Sequence, residues 1–297
     1  MKILICGATG FVGRHLTAYL RNAGHDVTRA IRHPAMTDDI AVDFSKDTAK
    51  SVWVPRLKGY DAVINAVGLL RDSTDNPMRN SHADTPAALF SAAVEAGVGR
   101  IIHLSALGVD SGIDTTYFST KLLAERSLQA LPPQVRWLCL RPSVIYGDDG
   151  ASAKMFRAQA RLPLHILLAG GRQTLQPVHI DDVSAAVERW LSDSKSGSQI
   201  VAAAGAEATT MRGMLDSYRQ QLGHGSALHI SMPSLLTSVA ARIGDHLPAS
   251  PLCSDTLKML TAGSIADSTA FSELLGHPPQ SYREFLKCGR ATLATAK

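Results

Sequence analysis

The sequence has few cysteines, and they form no paired motif. Cys6, Cys139, Cys253 and Cys288 lie far apart in a chain of 297 residues, with no CxxC spacing. Cys6 and Cys139 stand inside apolar runs, where cysteine behaves as a small hydrophobic residue. This usage fits a reduced compartment, and we therefore expect a cytoplasmic protein.

Long apolar runs and basic clusters are also absent. No uninterrupted apolar stretch approaches the roughly 20 residues that a membrane helix needs, and the start, MKILICGATG, leaves no room for a cleaved signal. The net charge is only +4 and the basic residues are scattered, which argues against a nucleic-acid partner or a polybasic membrane patch. We expect a soluble protein, which leaves open a place on a larger, membrane-associated assembly.

What the first half does contain is an alternation of short buried strands with helical patterns. The apolar run KILIC, ended by glycines, is typical of a strand buried on both faces. This rhythm predicts the α/β class, with a doubly wound parallel Rossmann sheet. The predicted strands are 2–6, 25–32, 39–44, 61–68, 99–105 and 135–143, and the predicted helices are 11–24, 85–97 and 117–131.

The pattern loosens after about residue 145. A helix at 151–163, a strand running into a helix at 175–191 and several short helices predict a smaller, mixed and mostly helical C-terminal lobe. We divide the chain into a nucleotide-binding domain at 1–175 and a substrate lobe at 176–297, partly interleaved with it and closing over the carboxyl ends of the sheet. The apolar stripe at 234–244 is expected to pack in the core of that lobe; a wall facing a lipid tail or quinone is the alternative.

A glycine-rich stretch, GATGFVG, lies between the first predicted strand and the first helix. Gly7, Gly10 and Gly13 stand where a tight turn, an approaching pyrophosphate and close helix packing need residues without side chains. The helix N-terminus also offers free amides to an anion. The strand–turn–helix setting predicts a dinucleotide-binding turn.

The end of the second strand, TRAIRHP, lacks the acid that would bind a ribose 2′-hydroxyl and favour NAD. It carries Arg29 and Arg32 instead, and the charged fork of arginine suits a 2′-phosphate, to which Arg14 would add a second charge. We predict NADP(H), with NAD(H) as the alternative if Arg32 is only a solvated strand end. Asp43 with Phe44 would lie near the adenine amino group, unless Asp43 is a turn former.

Tyr117 and Lys121 stand one turn apart on the helix after the fifth strand, near the expected nicotinamide. A free tyrosine has a pKa of about 10, and a neighbouring ammonium is expected to lower that pKa by stabilising the phenolate. Two side chains at this spacing often lie on an exposed helix surface without any catalytic role. The position favours Tyr117 as an acid/base and Lys121 as its partner, which also holds the nicotinamide ribose.

These motifs, in this order, resemble the short-chain dehydrogenase/reductase superfamily in its extended or atypical branch. LRPSVIYG (140–147), NAVG (65–68) and LQPVHIDDVSAAV (175–187) add to the likeness. The last of these, with GFVGRHL and PLHILLAGGRQ, is most similar to the nucleotide-binding accessory subunit of respiratory complex I and its bacterial relatives. The likeness covers about residues 1–190 well. It implies cofactor contacts at Gly7, Thr9, Gly10, Phe11, Val12, Arg32, Asp43, Ala66, Val67, Gly68, Tyr117, Lys121 and Pro142.

One position departs from the family pattern, which normally has a catalytic serine just past the fifth strand. The usual serine pair is Ser105–Ala106 here, so Ser105 either acts one position early or the catalytic set is incomplete. A lost hydrogen bond of this kind can lower turnover about a hundredfold. Two functions follow: an NADP(H)-dependent oxidoreductase or epimerase/reductase acting on a carbonyl or alcohol, or a non-catalytic nucleotide-binding factor linked to complex I or quinone metabolism.

The segment PVHIDD offers His179, Asp181 and Asp182 as a conceivable metal set. We interpret it instead as a strand end followed by an acidic helix start, and we predict no metal site because no HExxH or clustered thiolates occur. His82 either faces the cofactor cleft or is a hydrogen-bonded structural residue. The substrate, a small molecule or a quinone-like ligand, and the oligomeric state lie beyond the sequence.

Overall fold

The computed structural model describes residues 1–247 and 252–286, so that Cys288 lies outside the described residues. Its strands are β1 (Lys2–Cys6), β2 (Asp26–Ile31), β3 (Ile40–Ala41), β4 (Ala62–Asn65), β5 (Arg100–Leu104), β6 (Arg136–Pro142), β7 (Ile145–Tyr146), β8 (Leu164–Leu168), β9 (Thr174–Leu175), β10 (Val178–His179), β11 (Gln199–Ala203), β12 (Thr209–Thr210) and β13 (Leu228–Met232). Its α-helices are α1 (Phe11–Asn22), α2 (Lys50–Leu57), α3 (Thr85–Glu95), α4 (Thr116–Gln129), α5 (Ala151–Arg161), α6 (Ile180–Ser192), α7 (Met211–Gln221), α8 (Ser234–Asp245), α9 (Ser254–Ala262) and α10 (Thr269–Leu275).

One seven-stranded sheet has the order β11-β6-β5-β4-β1-β2-β3, and β1 to β6 pair in parallel throughout. The order runs outward from β1 in both directions, so the predicted doubly wound Rossmann sheet is confirmed. Strand β3 is shorter than predicted because the chain turns at Asp43, whose carbonyl accepts from the amides of Lys46 and Asp47. Helix α2 was not predicted; it contains Pro55 and is only 8 residues long.

The core of this sheet follows from strand alternation. Leu4 and Cys6 of β1 point to one face, where they share a cluster with Trp53 of α2 and Phe90 of α3. The intervening Ile3 and Ile5 point to the other face and are also fully buried. A continuously apolar strand is therefore covered on both sides, as KILIC predicts.

The chain divides into two compact units. The first comprises Met1–Pro142 and Val183–Val201 and holds nearly all of the sheet. The second comprises Ser143–Asp182 and the described residues from Ala202 onward. In the second unit the strands form three pairs, β7 with β10, β8 with β13 and β9 with β12, and an aromatic core gathers Tyr146, Tyr218 and Phe285.

Helix α8 forms as its pattern predicts, but the expectation that its apolar stripe packs in a core is wrong for the part of the chain that the structure describes. Leu235 is 74% exposed and Ile243 is 59% exposed. The buried positions are the small residues Thr237, Ala241 and Gly244, so this helix packs through a narrow face and leaves its large side chains outside. No helix among the described residues is long and apolar enough to cross a bilayer.

Candidate functional site

The glycine turn joins β1 to α1 by close backbone packing. Gly7 has φ +80°, in the left-handed region that favours glycine. A Cβ atom on Gly13 would lie 2.1 Å from the carbonyl oxygen of Gly7. The amide of Gly10 donates to that same carbonyl at 3.0 Å. The helix therefore begins directly against the turn, and a side chain at Gly13 would push it away.

The N-terminus of α1 is available to an anion. Gly10 is the N-cap residue with extended backbone, no side chain of the described residues caps it, and the first turn contains no acid. The first-turn amides of an α-helix lack intrahelical acceptors, and the helix dipole favours negative charge there. Arg14 adds charge nearby, with its guanidinium 5.4 Å from the centre of the Phe11 ring.

The two arginines of β2 and its end have different surroundings. Arg29 forms two hydrogen bonds of 2.7 Å with the Asp39 carboxylate, which also accepts from the amides of Ala35 and Met36. Arg29 is thus committed to the loop that follows β2. The Arg32 side chain is 49% exposed, and its Nε lies 3.6 Å from Asp43 Oδ1.

Arg32 borders a cavity of about 460 Å³ just beyond β2 and β3. Asp43 lines it too, and the Asp43 carboxylate accepts from the amide and hydroxyl of Ser45. Phe44 does not: its ring is 5% exposed and lies edge-on to Trp53 in the core. The lining is mixed in charge and consists of Arg32, His33, Ala41, Val42, Asp43, Ser45, Lys46, Asp47, Arg56 and Asp75.

Lys121 is the residue that fastens α4 to the carboxyl ends of the sheet. Its side chain is buried, and Nζ donates to the carbonyls of Leu104 at 2.8 Å and Val67 at 3.0 Å. Burial lowers the pKa of Lys121 to about 8. Gly68 follows directly, where an added Cβ would lie 3.9 Å from Nζ. The predicted residues at 66–68 and Lys121 are therefore brought together.

Tyr117 lies in the first turn of α4, which Thr115 caps by accepting from the amide of Phe118. The tyrosine is half-buried, and burial raises its pKa to about 12. The expectation that Lys121 lowers this pKa is therefore wrong here. The physical reason is that burial of the phenol raises its pKa, while the Lys121 ammonium donates to two backbone carbonyls. Tyr117 keeps its proton at neutral pH.

The ring of His82 packs against the ring of Tyr117. The two rings are 5.3 Å apart in an edge-to-face arrangement. His82 is buried, its Nε2 accepts from the amide of Leu69 at 2.8 Å, and its Nδ1 therefore carries the proton and donates to Thr120 Oγ1. Burial, with the charge of Lys121, lowers the pKa of His82 to about 3. His82 is a neutral structural residue.

Ser105 follows β5 with its hydroxyl uncommitted. The residue is 5% exposed, and its Oγ has no hydrogen-bond partner among residues 1–247 and 252–286. Its amide donates to the carbonyl of Leu140 at 2.8 Å. Pro142 ends β6, and its carbonyl accepts from the amide of Leu107. Because buried hydroxyls are normally paired, the Oγ of Ser105 is unusual in lacking a hydrogen-bond partner among the described residues.

Two supporting contacts were not predicted from the sequence. Asn65 accepts from the amide of Val67 through Oδ1 and pairs with His103 through Nδ2 at 3.2 Å, which shapes the turn after β4. Glu125 of α4 is fully buried and receives three hydrogen bonds from Arg141 on β6. A polar residue ending an apolar strand, and an acid on the buried face of a helix, were the available signals.

The burial of Lys121 gives a pH prediction. Its pKa is 10.5 when unfolded and about 8 when folded, so the unfolded chain binds more protons between those pH values and stability rises with pH there. Each pKa unit corresponds to about 1.4 kcal/mol. Between pH 7.5 and 10.5 we expect the free energy of unfolding of the wild type to rise by about 3 kcal/mol relative to that of Lys121→Met, measured by urea unfolding.

Lys46→Met, at a side chain that is 79% exposed, is the control: the wild type should show no such gain relative to this variant. Parallel pH curves for wild type and Lys121→Met would contradict the assignment.

The fold and the glycine turn define a Rossmann-type nucleotide-binding protein, and comparison with known proteins identifies the family. The model of the NAD dependent epimerase/dehydratase family matches residues 3–203. The chain belongs to this family, which confirms the resemblance to the extended short-chain dehydrogenases/reductases.

Two relatives show what the chain is similar to within this family, and the first agrees with the resemblance to a complex I accessory subunit. The 40 kDa subunit of NADH-ubiquinone oxidoreductase from Neurospora crassa is 25% identical over 207 residues, covering 66% of this chain and 53% of that protein. A ceramide reductase from Caulobacter vibrioides is 29% identical over 189 residues, covering 62% and 58%. The chain thus spans a little over half the length of these relatives.

Solved structures match nearly the whole chain. The NADPH-dependent quinone oxidoreductase QOR2 of Escherichia coli, solved with NADPH, has a TM-score of 0.74 at 19% identity, covering 97% of this chain and 99% of that one. Other structures of similar score were solved with NAD. At this identity the likeness establishes the fold.

Proposed function

We propose that this protein is a carbonyl reductase that uses a nicotinamide dinucleotide, preferably NADPH, with Tyr117 as the proton donor. The observation that carries the proposal is the double hydrogen bond from Lys121 to the carbonyl of Leu104, which ends β5, and to that of Val67, two residues after β4. It holds the helix of Tyr117 at the edge of the sheet where the glycine turn follows β1. A dinucleotide turn and an acid thus share one edge, as ligand sites in open α/β sheets do.

The residues present fit such a cofactor. Gly13 packs against the carbonyl of Gly7 with no room for a Cβ atom, so α1 begins close to the turn, which suits a pyrophosphate at its first-turn amides. Arg32, beside the 460 Å³ cavity, would hold a 2′-phosphate, and Asp43 would meet the adenosine end. Lys121 would hold the nicotinamide ribose. Additional contacts are assigned to Thr9, Phe11, Val12, Arg14, Ala66, Val67, Gly68 and Pro142, whereas the buried ring of Phe44 leaves only its backbone to take part.

The protonated phenol of Tyr117 is suited to donate a proton in a reduction. A bound nicotinamide supplies the hydride. Tyr117, whose pKa is raised to about 12, is protonated at neutral pH and can donate to a carbonyl oxygen that gains negative charge. Ser105 would donate a second hydrogen bond to the same oxygen, one position earlier in the chain than its relatives do. His82 keeps the phenol in place.

The substrate class is supported by relatives rather than by the site. The ceramide reductase and the quinone oxidoreductase named above suggest lipid ketones of the ceramide class and quinones. The panel for a first assay is therefore long-chain ketones, quinones and small aldehydes, each tested for substrate-dependent oxidation of NADPH. Turnover with a member of the panel supports the reductase.

A non-catalytic, nucleotide-binding role is the second candidate. It is favoured by Ala106 at the usual serine position and by the likeness to a complex I subunit. Stoichiometric NADPH binding without turnover on any member of the panel would favour this role. Failure to bind NADPH or NADH would contradict both candidates.

Arg32→Asp tests the cofactor preference. Because a hydrogen bond to a charged group contributes about 1.5–3 kcal/mol, we expect the Kd for NADPH to rise by about 10- to 100-fold and the Kd for NADH by less than about 3-fold. Fluorescence titration of the reduced nicotinamide measures both. Arg79→Asp, at an exposed arginine paired with Asp84 outside the cavity, is the matched control. Equal weakening of both nucleotides would refute the 2′-phosphate assignment.

A further inference from the structure

Three side chains of types that commonly bind metal ions form a cluster within the second unit. None of them has been assigned a role above. His165 is on β8, His229 on β13 and Asp216 on α7. Strands β8 and β13 pair in parallel with His229 directly opposite His165. Residues opposite each other in neighbouring strands project to the same face, and the two ring centres are 5.3 Å apart. The pairing therefore presents two imidazoles side by side.

Asp216 completes the cluster from the adjacent helix. Its Oδ1 lies 2.8 Å from His229 Nε2 and 4.0 Å from His165 Nδ1. One ligand atom from each of the three residues lies within 4.8 Å of the others. Arg212 lies 3.7 Å from the other carboxylate oxygen, Oδ2, which leaves Oδ1 on the side of the histidines.

The second observation concerns His165 itself. The residue is fully buried, and neither ring nitrogen makes a hydrogen bond within the part of the chain that the structure describes. The interaction of the ring with the backbone of Ala160 is the weakest of those that act on it. A buried imidazole whose nitrogens lack hydrogen-bond partners of good geometry is costly, because its polar atoms have lost water and gained little in return. A ligand that accepts an imidazole lone pair would remove that cost.

We propose that His165, Asp216 and His229 bind a zinc ion. Two imidazoles and one carboxylate are a ligand set that Zn²⁺ takes, and a set of three leaves a fourth position for water. Tetrahedral bonds of about 2.0–2.1 Å place neighbouring ligand atoms roughly 3.3 Å apart. The ligand atoms here lie up to 4.8 Å apart, so zinc binding requires the side chains of His229 and Asp216 to rotate toward the buried His165. The His229 side chain is 14% exposed and that of Asp216 is 41% exposed, which opens the site to solvent.

The ion would act as a clamp on the second unit. A two-stranded sheet is marginal alone, and bound zinc would tie β8, β13 and α7 to one another. Because it binds the folded chain through residues far apart in sequence, zinc would stabilise the folded state. The proposal departs from the prediction of no metal site and does not depend on the proposed function.

Metal binding is tested on the full chain without a polyhistidine tag, after chelator treatment and dialysis. We expect one equivalent of Zn²⁺ in equilibrium dialysis, a higher unfolding temperature with Zn²⁺, and visible absorption of low-coordinate Co²⁺ in its place. Mg²⁺, which prefers oxygen ligands, should have no effect. His229→Gln and Asp216→Asn should each weaken Zn²⁺ binding by at least about tenfold, because each removes one of three ligands.

His224→Gln, at an exposed histidine of the same unit, is the matched control and should bind as the wild type does. His165→Gln is a third variant, but its buried position can affect folding, so the two partly exposed ligands decide the test. Absence of bound zinc in the wild type would overturn the proposal. So would unchanged binding in both His229→Gln and Asp216→Asn, since the ion would then sit elsewhere.

Discussion

Tyr117→Phe is expected to lower NADPH-dependent carbonyl turnover by at least about a hundredfold, since a positioned general acid contributes about 10²- to 10⁴-fold. The change removes only the hydroxyl, while Lys121 keeps its bonds to Leu104 and Val67. The Kd for NADPH should therefore change by less than about threefold. Steady-state NADPH oxidation and a nucleotide titration measure the two quantities separately.

Tyr19→Phe, on the exposed side of α1, is the control and should leave both quantities unchanged. Survival of full turnover in Tyr117→Phe would show that another group supplies the proton. Equal loss of turnover and of NADPH affinity would instead indicate that the tyrosine mainly binds the nucleotide. A kcat that falls while the Kd stays constant is the signature of the proposed acid.

The second large effect concerns the buried ion pair between Glu125 of α4 and Arg141 of β6. Glu125→Gln should lower the free energy of unfolding by about 3–5 kcal/mol, because it leaves the guanidinium of Arg141 without its buried partner. The Glu125 side chain is fully buried and that of Arg141 is 14% exposed, so solvent cannot replace the lost charge. Urea unfolding followed by circular dichroism measures the change.

Asp110→Asn is the internal comparison. Asp110 also pairs with Arg141 at 2.5 Å, but its side chain is 60% exposed. Exposed pairs contribute about 1 kcal/mol or less, so this variant should unfold close to the wild type. Similar losses in Glu125→Gln and Asp110→Asn would contradict the claim that burial sets the strength of the Glu125 pair.

Local patterns predicted the elements that are long and strongly periodic. The run at 117–131 became α4 at Thr116–Gln129, and KILIC became β1. Helix α2 escaped prediction because its 8 residues include Pro55, which is usually a helix breaker. The burial of a helix face was harder to predict than the helix itself. The apolar stripe on α8 has the spacing of a core helix, yet Leu235 is 74% exposed. Periodicity tells which face of a helix is apolar, whereas packing partners decide whether that face is covered.

For the candidate site, too, the sequence predicted some features and missed others. The spacing of Tyr117 and Lys121 predicted that they share a helix face, but not that Lys121 would turn to two carbonyls and leave the tyrosine with a raised pKa. The sequence placed both Arg29 and Arg32 near the end of the second strand and assigned only Arg32 to the cofactor, and the structure engages Arg29 with Asp39. Hydrogen-bond partners from distant segments made these choices.

The amino-acid sequence by itself determined the βαβ order, the glycine turn and the candidate acid, because each depends on residues within a few positions of one another. Tertiary structure alone decided the raised pKa of Tyr117, the burial of the Glu125–Arg141 pair and the meeting of His165, Asp216 and His229. Those properties depend on desolvation and on distances between groups that lie from 13 to 64 positions apart in the chain. No local pattern contains that information.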